Sequence, residues 1–130
     1  MAVPRTRRRP RRRAPDPEAG MVTTETAVVL PVLLLVLLCA VAAVTVVGAQ
    51  LRCVDAAREG ARAAARGETD AVVAELAGRV APEGADTAVR EDGERVRVTV
   101  SVELAPLGPV PLRTRVSAEA VAVREPGGAP

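Results

Sequence analysis

The chain has 130 residues, 48% of them apolar, and a net charge of +2. It contains no Phe, Tyr, Trp, His or Lys, so every basic side chain is Arg. Missing aromatics confine any core to Val, Leu and Ala, which bury less area per residue. Missing His removes the usual acid–base group near neutral pH and the commonest metal ligand. A chain this short holds one small domain, marginal in stability alone.

The charge is unevenly placed. Residues 1–20 carry seven Arg against Asp16 and Glu18, while residues 21–130 carry eleven Arg against fourteen acids. The basic balance therefore belongs to the N-terminal tract. Arg-rich tracts also bind nucleic acid, but no aromatic is present here to stack a base. The tract reads instead as a basic cytoplasmic leader over residues 1–20, and no nucleic-acid partner is expected.

Residues 26–49 read TAVVLPVLLLVLLCAVAAVTVVGA without one charge. A bilayer core of about 30 Å needs about 20 apolar residues in a helix. The run predicts a transmembrane helix over residues 21–49. A buried soluble helix is a poor competitor in so small a chain. A cleaved secretory signal has an apolar stretch of about 7–15 residues, shorter than this one. Arg is denser before the run than after it, which places the N-terminus in the cytoplasm and the C-terminal part outside.

Glu25 stands at the head of that run, after Ala19-Gly20-Met21-Val22-Thr23-Thr24. In the first turn of a helix its charge suits the helix dipole, and Thr23 or Thr24 offers an N-cap. Pro31 falls early in the span, where a kink is tolerated. Cys39 reads as a small apolar residue of the span. Cys53 lies fourteen residues further on, about 21 Å along a helix, too far for an intrachain disulfide. An intermolecular bridge through Cys53 stays open.

Residues 50–67 predict an amphipathic continuation of the helix. Leu51, Val54, Ala57, Ala61 and Ala65 form an apolar stripe at helical spacing. Arg58, Arg62 and Arg66 form a second, solvated face, with Asp55–Arg58 and Glu59–Arg62 pairs in reach. Gly67 is placed to stop the helix. A second helix is predicted over 70–80, with Val72, Val73, Leu76 and Val80 on its apolar side and Pro82 and Gly84 beyond its end.

The period then changes to two. Residues 95–104, RVRVTVSVEL, alternate without a fault and predict a strand whose even positions face the core. Asp92-Gly93 signals a hairpin pairing it with residues 86–90. The Pro-rich stretch 106–111 forms a rigid turn. A third strand follows at 112–123 with weaker alternation, and 125–130 reads as a disordered tail. The fold class is α+β: a long N-terminal helix, transmembrane then amphipathic, a short second helix and a small three-stranded antiparallel sheet in residues 68–124. One sheet face packs on the amphipathic half of the long helix. The other is polar, with Arg90 and Glu91 discouraging edge pairing.

A basic leader ending in Gly20, Glu25 at the fifth position beyond it and an apolar stretch next together resemble the type IV prepilins and pseudopilins. Thr-Glu-Thr-Ala-Val-Val-Leu-Pro-Val-Leu at 24–33 and Asp-Ala-Ala-Arg-Glu-Gly-Ala-Arg-Ala-Ala-Ala-Arg-Gly at 55–67 narrow the resemblance to the TadE-like minor pilins of the tight-adherence (Flp pilus) system. It covers about a third of the chain. The resemblance implies a pilin-like plan and cleavage by a prepilin peptidase between Gly20 and Met21. It implies that Glu25 meets the free amine of a neighbouring subunit inside a filament, and that Pro31 kinks the helix. It implies other pilin and Tad secretion-machine subunits as partners, in a bacterial plasma membrane. Thr26 stands where many relatives carry an aromatic, so an uncleaved form stays open.

No catalytic constellation is present. Ser101 and Ser117 fall in predicted strands without His to activate them, and no phosphate loop, dinucleotide fingerprint or zinc spacing occurs. The sequence leads to a minor pilin or pseudopilin in a structural role, without enzyme activity, cofactor, metal or small-molecule substrate. The alternatives are an uncleaved single-pass anchor whose outer domain binds an envelope partner, and a small domain released by signal peptidase.

Overall fold

The computed structural model describes residues 17–124, with side chains from residue 25 onward. Most of the basic leader, the tail at 125–130 and the side chains of Met21, Thr23 and Thr24 lie outside the described residues, and Gly20 is described by its backbone alone. The elements are α1 (Pro17–Ala65), α2 (Asp70–Val80), β1 (Asp86–Asp92), β2 (Arg95–Leu104) and β3 (Thr114–Val123). The class is the expected α+β. The chain divides after Val36 into two units.

The first unit contains the start of α1. The helix opens at Pro17, where a missing N–H costs nothing because the first four N–H groups lack helical partners. The helix is therefore already formed ahead of the span expected over residues 21–49. Thr23 and Thr24 consequently lie inside the helix, and Glu25 sits beyond its first turn. The N-cap expectation for the two threonines is therefore corrected. The helix runs through Pro31 without a break in its assignment. Every side chain from Glu25 to Val36 is exposed.

The second unit contains the rest of α1, then α2 and the sheet. Ala49, Cys53, Ala56, Ala57, Gly60, Ala61, Ala63 and Ala64 form the buried face of α1. The expected stripe is thus partly wrong. Leu51 is 61% exposed, and Val54 and Ala65 are half-buried. The buried face is the one made of the smallest side chains, because those let other backbones approach closely.

Gly67 ends α1 as expected, with φ 84°. Its N–H donates to the Ala64 carbonyl at 3.0 Å, and the Glu68 N–H reaches the Ala63 carbonyl at 3.3 Å. These two bonds satisfy carbonyls that the helix end leaves open, in the pattern of a Schellman cap. The helix α2 has the expected bounds but a different apolar face. Val73 and Ala77 are buried with Leu76 half-buried, while Val72 and Val80 are exposed.

The sheet is an antiparallel meander in the order β1-β2-β3. Asp92 pairs with Arg95, so Gly93-Glu94 is the two-residue loop. Gly93 has φ 62° and Glu94 does not have positive φ. That combination is the type II′ hairpin, whose twist matches its strands. The even positions Val96, Val98, Val100 and Val102 are all buried, as the alternation predicts. In β3, Val116 is buried and Ala118, Ala120 and Ala122 are half-buried beside them, whereas Val121 and Val123 point outward. The core joins this Val face to the small-residue face of α1 and to Val73 and Ala77 of α2.

Candidate functional site

The head of the apolar run is the first candidate. Glu25, Thr26, Val29, Leu30 and Leu33 line one shallow groove along α1, because positions three and four apart share a helix face. No described residue forms an ion pair with Glu25. A lone carboxylate beside hydrocarbon is costly until a cation meets it. Gly20 and Met21 lie on the backbone of the same helix, within the first two turns.

The run behind Glu25 is uncharged and unburied. Among the described residues one helix is long and apolar enough to cross a membrane, and none of its most apolar window is buried inside the protein. So much exposed Leu and Val exceeds the patches that water-soluble monomers tolerate. The helix fits membrane anchoring.

Beyond the run, the exposed face of α1 carries Arg52, Arg58, Arg62 and Arg66. Arg62 meets Glu59 at 3.0 Å. The expected Asp55–Arg58 pair does not form. Arg58 and Arg62 instead line an open groove of about 510 Å³ together with Ala61, Ala65 and residues 120–122 of β3. Farther along α1, the Gln50 side chain donates to the Ser117 carbonyl of β3 at 3.1 Å. That bond satisfies an acceptor of an edge strand, a group otherwise open to pairing.

The two cysteines differ. Cys39 is exposed on the apolar run and Cys53 is fully buried under the sheet. Burial pushes the Cys53 thiol above its ordinary pKa. An intermolecular bridge through Cys53 is therefore corrected: no second chain reaches a sulfur with no exposed surface. Ser101 and Ser117 face each other as partners in the β2–β3 register.

A family model described as TadE-like protein matches residues 20–62. That stretch begins at Gly20, contains Met21, Glu25 and Pro31, and ends within the small-residue face of α1. Over 103 residues the chain is 41% identical to the apoptosis inhibitor Rv3655c of Mycobacterium tuberculosis, which covers 79% of this chain and 78% of that protein. The chain belongs to the TadE-like family. The similarity to the mycobacterial relative is longer than the family match, so it reaches into the folded part of this TadE-like chain. No solved structure matches it.

Proposed function

We propose that this TadE-like protein is a minor pilin or pseudopilin of the tight-adherence pilus system, with a structural and assembly role and no enzyme activity. The observation that carries this reading is the uncharged, exposed helix face headed by one carboxylate, Glu25, with no ion-pair partner among the described residues. In this reading the seven arginines of residues 1–20 hold the N-terminus in the cytoplasm, following the positive-inside rule. The part beyond the span then lies outside the plasma membrane.

A prepilin peptidase cuts between Gly20 and Met21 and frees the Met21 amine. Glu25 of one subunit meets that amine on a neighbouring pilin, which removes the cost of a bare charge near hydrocarbon. Leu and Val of the run supply the helix-to-helix packing, and Pro31 lets the helix bend to its neighbours. Further Tad secretion-machine subunits are the expected partners.

The test is mass mapping of the mature N-terminus from native membranes. A chain beginning at Met21 is expected. An intact leader would remove the processing step and leave an uncleaved anchor whose outer part recruits an envelope partner.

A further inference from the structure

The β2–β3 connection is unusual in composition. Residues 105–112 read Ala-Pro-Leu-Gly-Pro-Val-Pro-Leu, with no charge and three prolines. Val110 and Leu112 are 45% and 55% exposed. Leaving such side chains in water forgoes the free energy of their burial.

The loop's place in the fold follows from the register of β2 against α1. A Cβ on Gly60 would touch Val98, whereas Leu104 shares a groove with Val44, Thr45, Gly48 and Ala49. Six residues of strand cover about 20 Å. The eleven to fifteen helical residues from Gly60 back to Ala49 and Thr45 cover about 17–22 Å. β2 therefore runs antiparallel to α1, and its C-terminal end delivers the loop beside the apolar run, at residues 44–49.

The backbone of the loop suits a medium poor in water. Pro106, Pro109 and Pro111 have no N–H. Of the other four N–H groups in 106–112, three bond within the loop. Gly108 donates to the Ala105 carbonyl at 3.1 Å, Val110 to Leu107 at 3.3 Å and Leu112 to Val110 at 2.7 Å. Unbonded donors and acceptors both exclude irregular backbone from hydrocarbon. The loop's donors are largely met, and its remaining carbonyls call for the water and headgroups of the boundary rather than the acyl core. The first charges on leaving the loop, Glu103 and Arg113, face each other at 3.7 Å. Arg52 and Glu83 line the neighbouring groove. These four groups mark a level for water and headgroups.

We propose that residues 105–112 are a second membrane contact, seated in the headgroup–acyl boundary beside α1 on the side where the folded part lies. Leu107, Val110 and Leu112 enter the boundary, and Arg52 and Arg113 meet lipid phosphates. Amphipathic elements commonly sit about 5–10 Å deep in this zone. Trp and Tyr usually anchor proteins there, and this chain has neither. The loop fills that role with Pro, Leu and Val and limits the swing of the sheet about the helix. The proposal rests on α1 spanning the membrane.

The experiment is spin-label accessibility on the full chain, carrying Cys39→Ala, in phosphatidylcholine–phosphatidylglycerol vesicles. Labels are placed singly through Val110→Cys, Val44→Cys in the apolar run and Arg90→Cys on the exposed side of β1. The expected ratio of oxygen to nickel-chelate accessibility at Val110 is several-fold above that at Arg90 and near that at Val44. A water-like ratio at Val110 with a lipid-like one at Val44 overturns the loop contact and leaves the anchor intact. Water-like ratios at both overturn the anchor and the loop together. A Val110 label shielded from both reagents overturns the proposal in favour of packing against a second copy.

Discussion

A Cβ placed on Gly60 would lie 2.9 Å from Val98 Cγ1, closer than real methyl contacts allow. The same Cβ would meet Ala77 Cβ at 3.3 Å and Val73 Cγ1 at 3.5 Å. Gly60 is thus the point where α1, α2 and β2 converge. The missing side chain sets how closely the sheet approaches the helix in a core without aromatics.

Gly60→Ala gives two opposed effects. Overpacking a filled core costs about 1–3 kcal/mol, and replacing helical Gly by Ala returns about 1 kcal/mol. Val98 is fully buried and β-branched, so it has little room to turn away, and the clash should win. Gly78→Ala is the control, because a Cβ there meets nothing within 4 Å. Thermal unfolding of the full chain in micelles, followed by circular dichroism, should show a lowered midpoint for Gly60→Ala and an unchanged or raised one for Gly78→Ala.

The clash has a specific partner, which a double-mutant cycle can identify. Val98→Ala alone removes buried methyls and should cost roughly 2 kcal/mol. Combined with Gly60→Ala it opens the space the new methyl needs. The pair should therefore lose less stability than the sum of the single changes, with coupling of about 0.5–2 kcal/mol. Strict additivity would show that Gly60 is limited by something other than Val98.

Cys53 offers an uncluttered titration. The chain has no His, Lys or Tyr side chain to obscure a thiol in the alkaline range below Arg. The folded-state pKa of Cys53 is raised by desolvation, so the unfolded chain loses this proton first. The folded form then binds more protons than the unfolded one, and stability falls as pH rises. The loss should begin near the ordinary thiol range of about 8.5, continue up to the raised value and be absent at neutral pH. In a Cys39→Ala background, urea unfolding at pH 7 and at pH 10 should show this decline. Adding Cys53→Ala should abolish most of it.

Elements with a strong period or punctuation were legible from residues alone. The alternation of 95–104 identified all four buried valines of β2, and Gly67 and Pro82 bracketed α2 closely. The helix faces were harder. Leu51, Val72 and Val80 are large and apolar, yet they are exposed, while Cys53, Ala56, Gly60 and Ala63 are buried. Residue size misled there, because close backbone approach selects the smallest side chains. The pairing of Gln50 with the Ser117 carbonyl was invisible in sequence, since it joins positions 67 apart through one backbone atom. Glu25 has the character of a first-turn acid, yet α1 already runs from Pro17.

Glu25→Ala separates anchoring from assembly. Removing a carboxylate from the head of an apolar run makes the helix easier to insert, by about 2.5–3.5 kcal/mol at most for a mid-bilayer acid and less near the interface. Retention in the membrane fraction should therefore be undiminished. If Glu25 meets a neighbour's free amine, its loss leaves that amine unpaired in hydrocarbon, and incorporation into sheared pili should fall sharply. Glu25→Gln should behave similarly, because an amide keeps the size but supplies no charge. Quantifying the protein in membrane and sheared-pilus fractions gives both readouts at once. Full incorporation of Glu25→Ala would sink the charge-pairing role. Loss from both fractions would instead mean that the substitution damages folding or insertion.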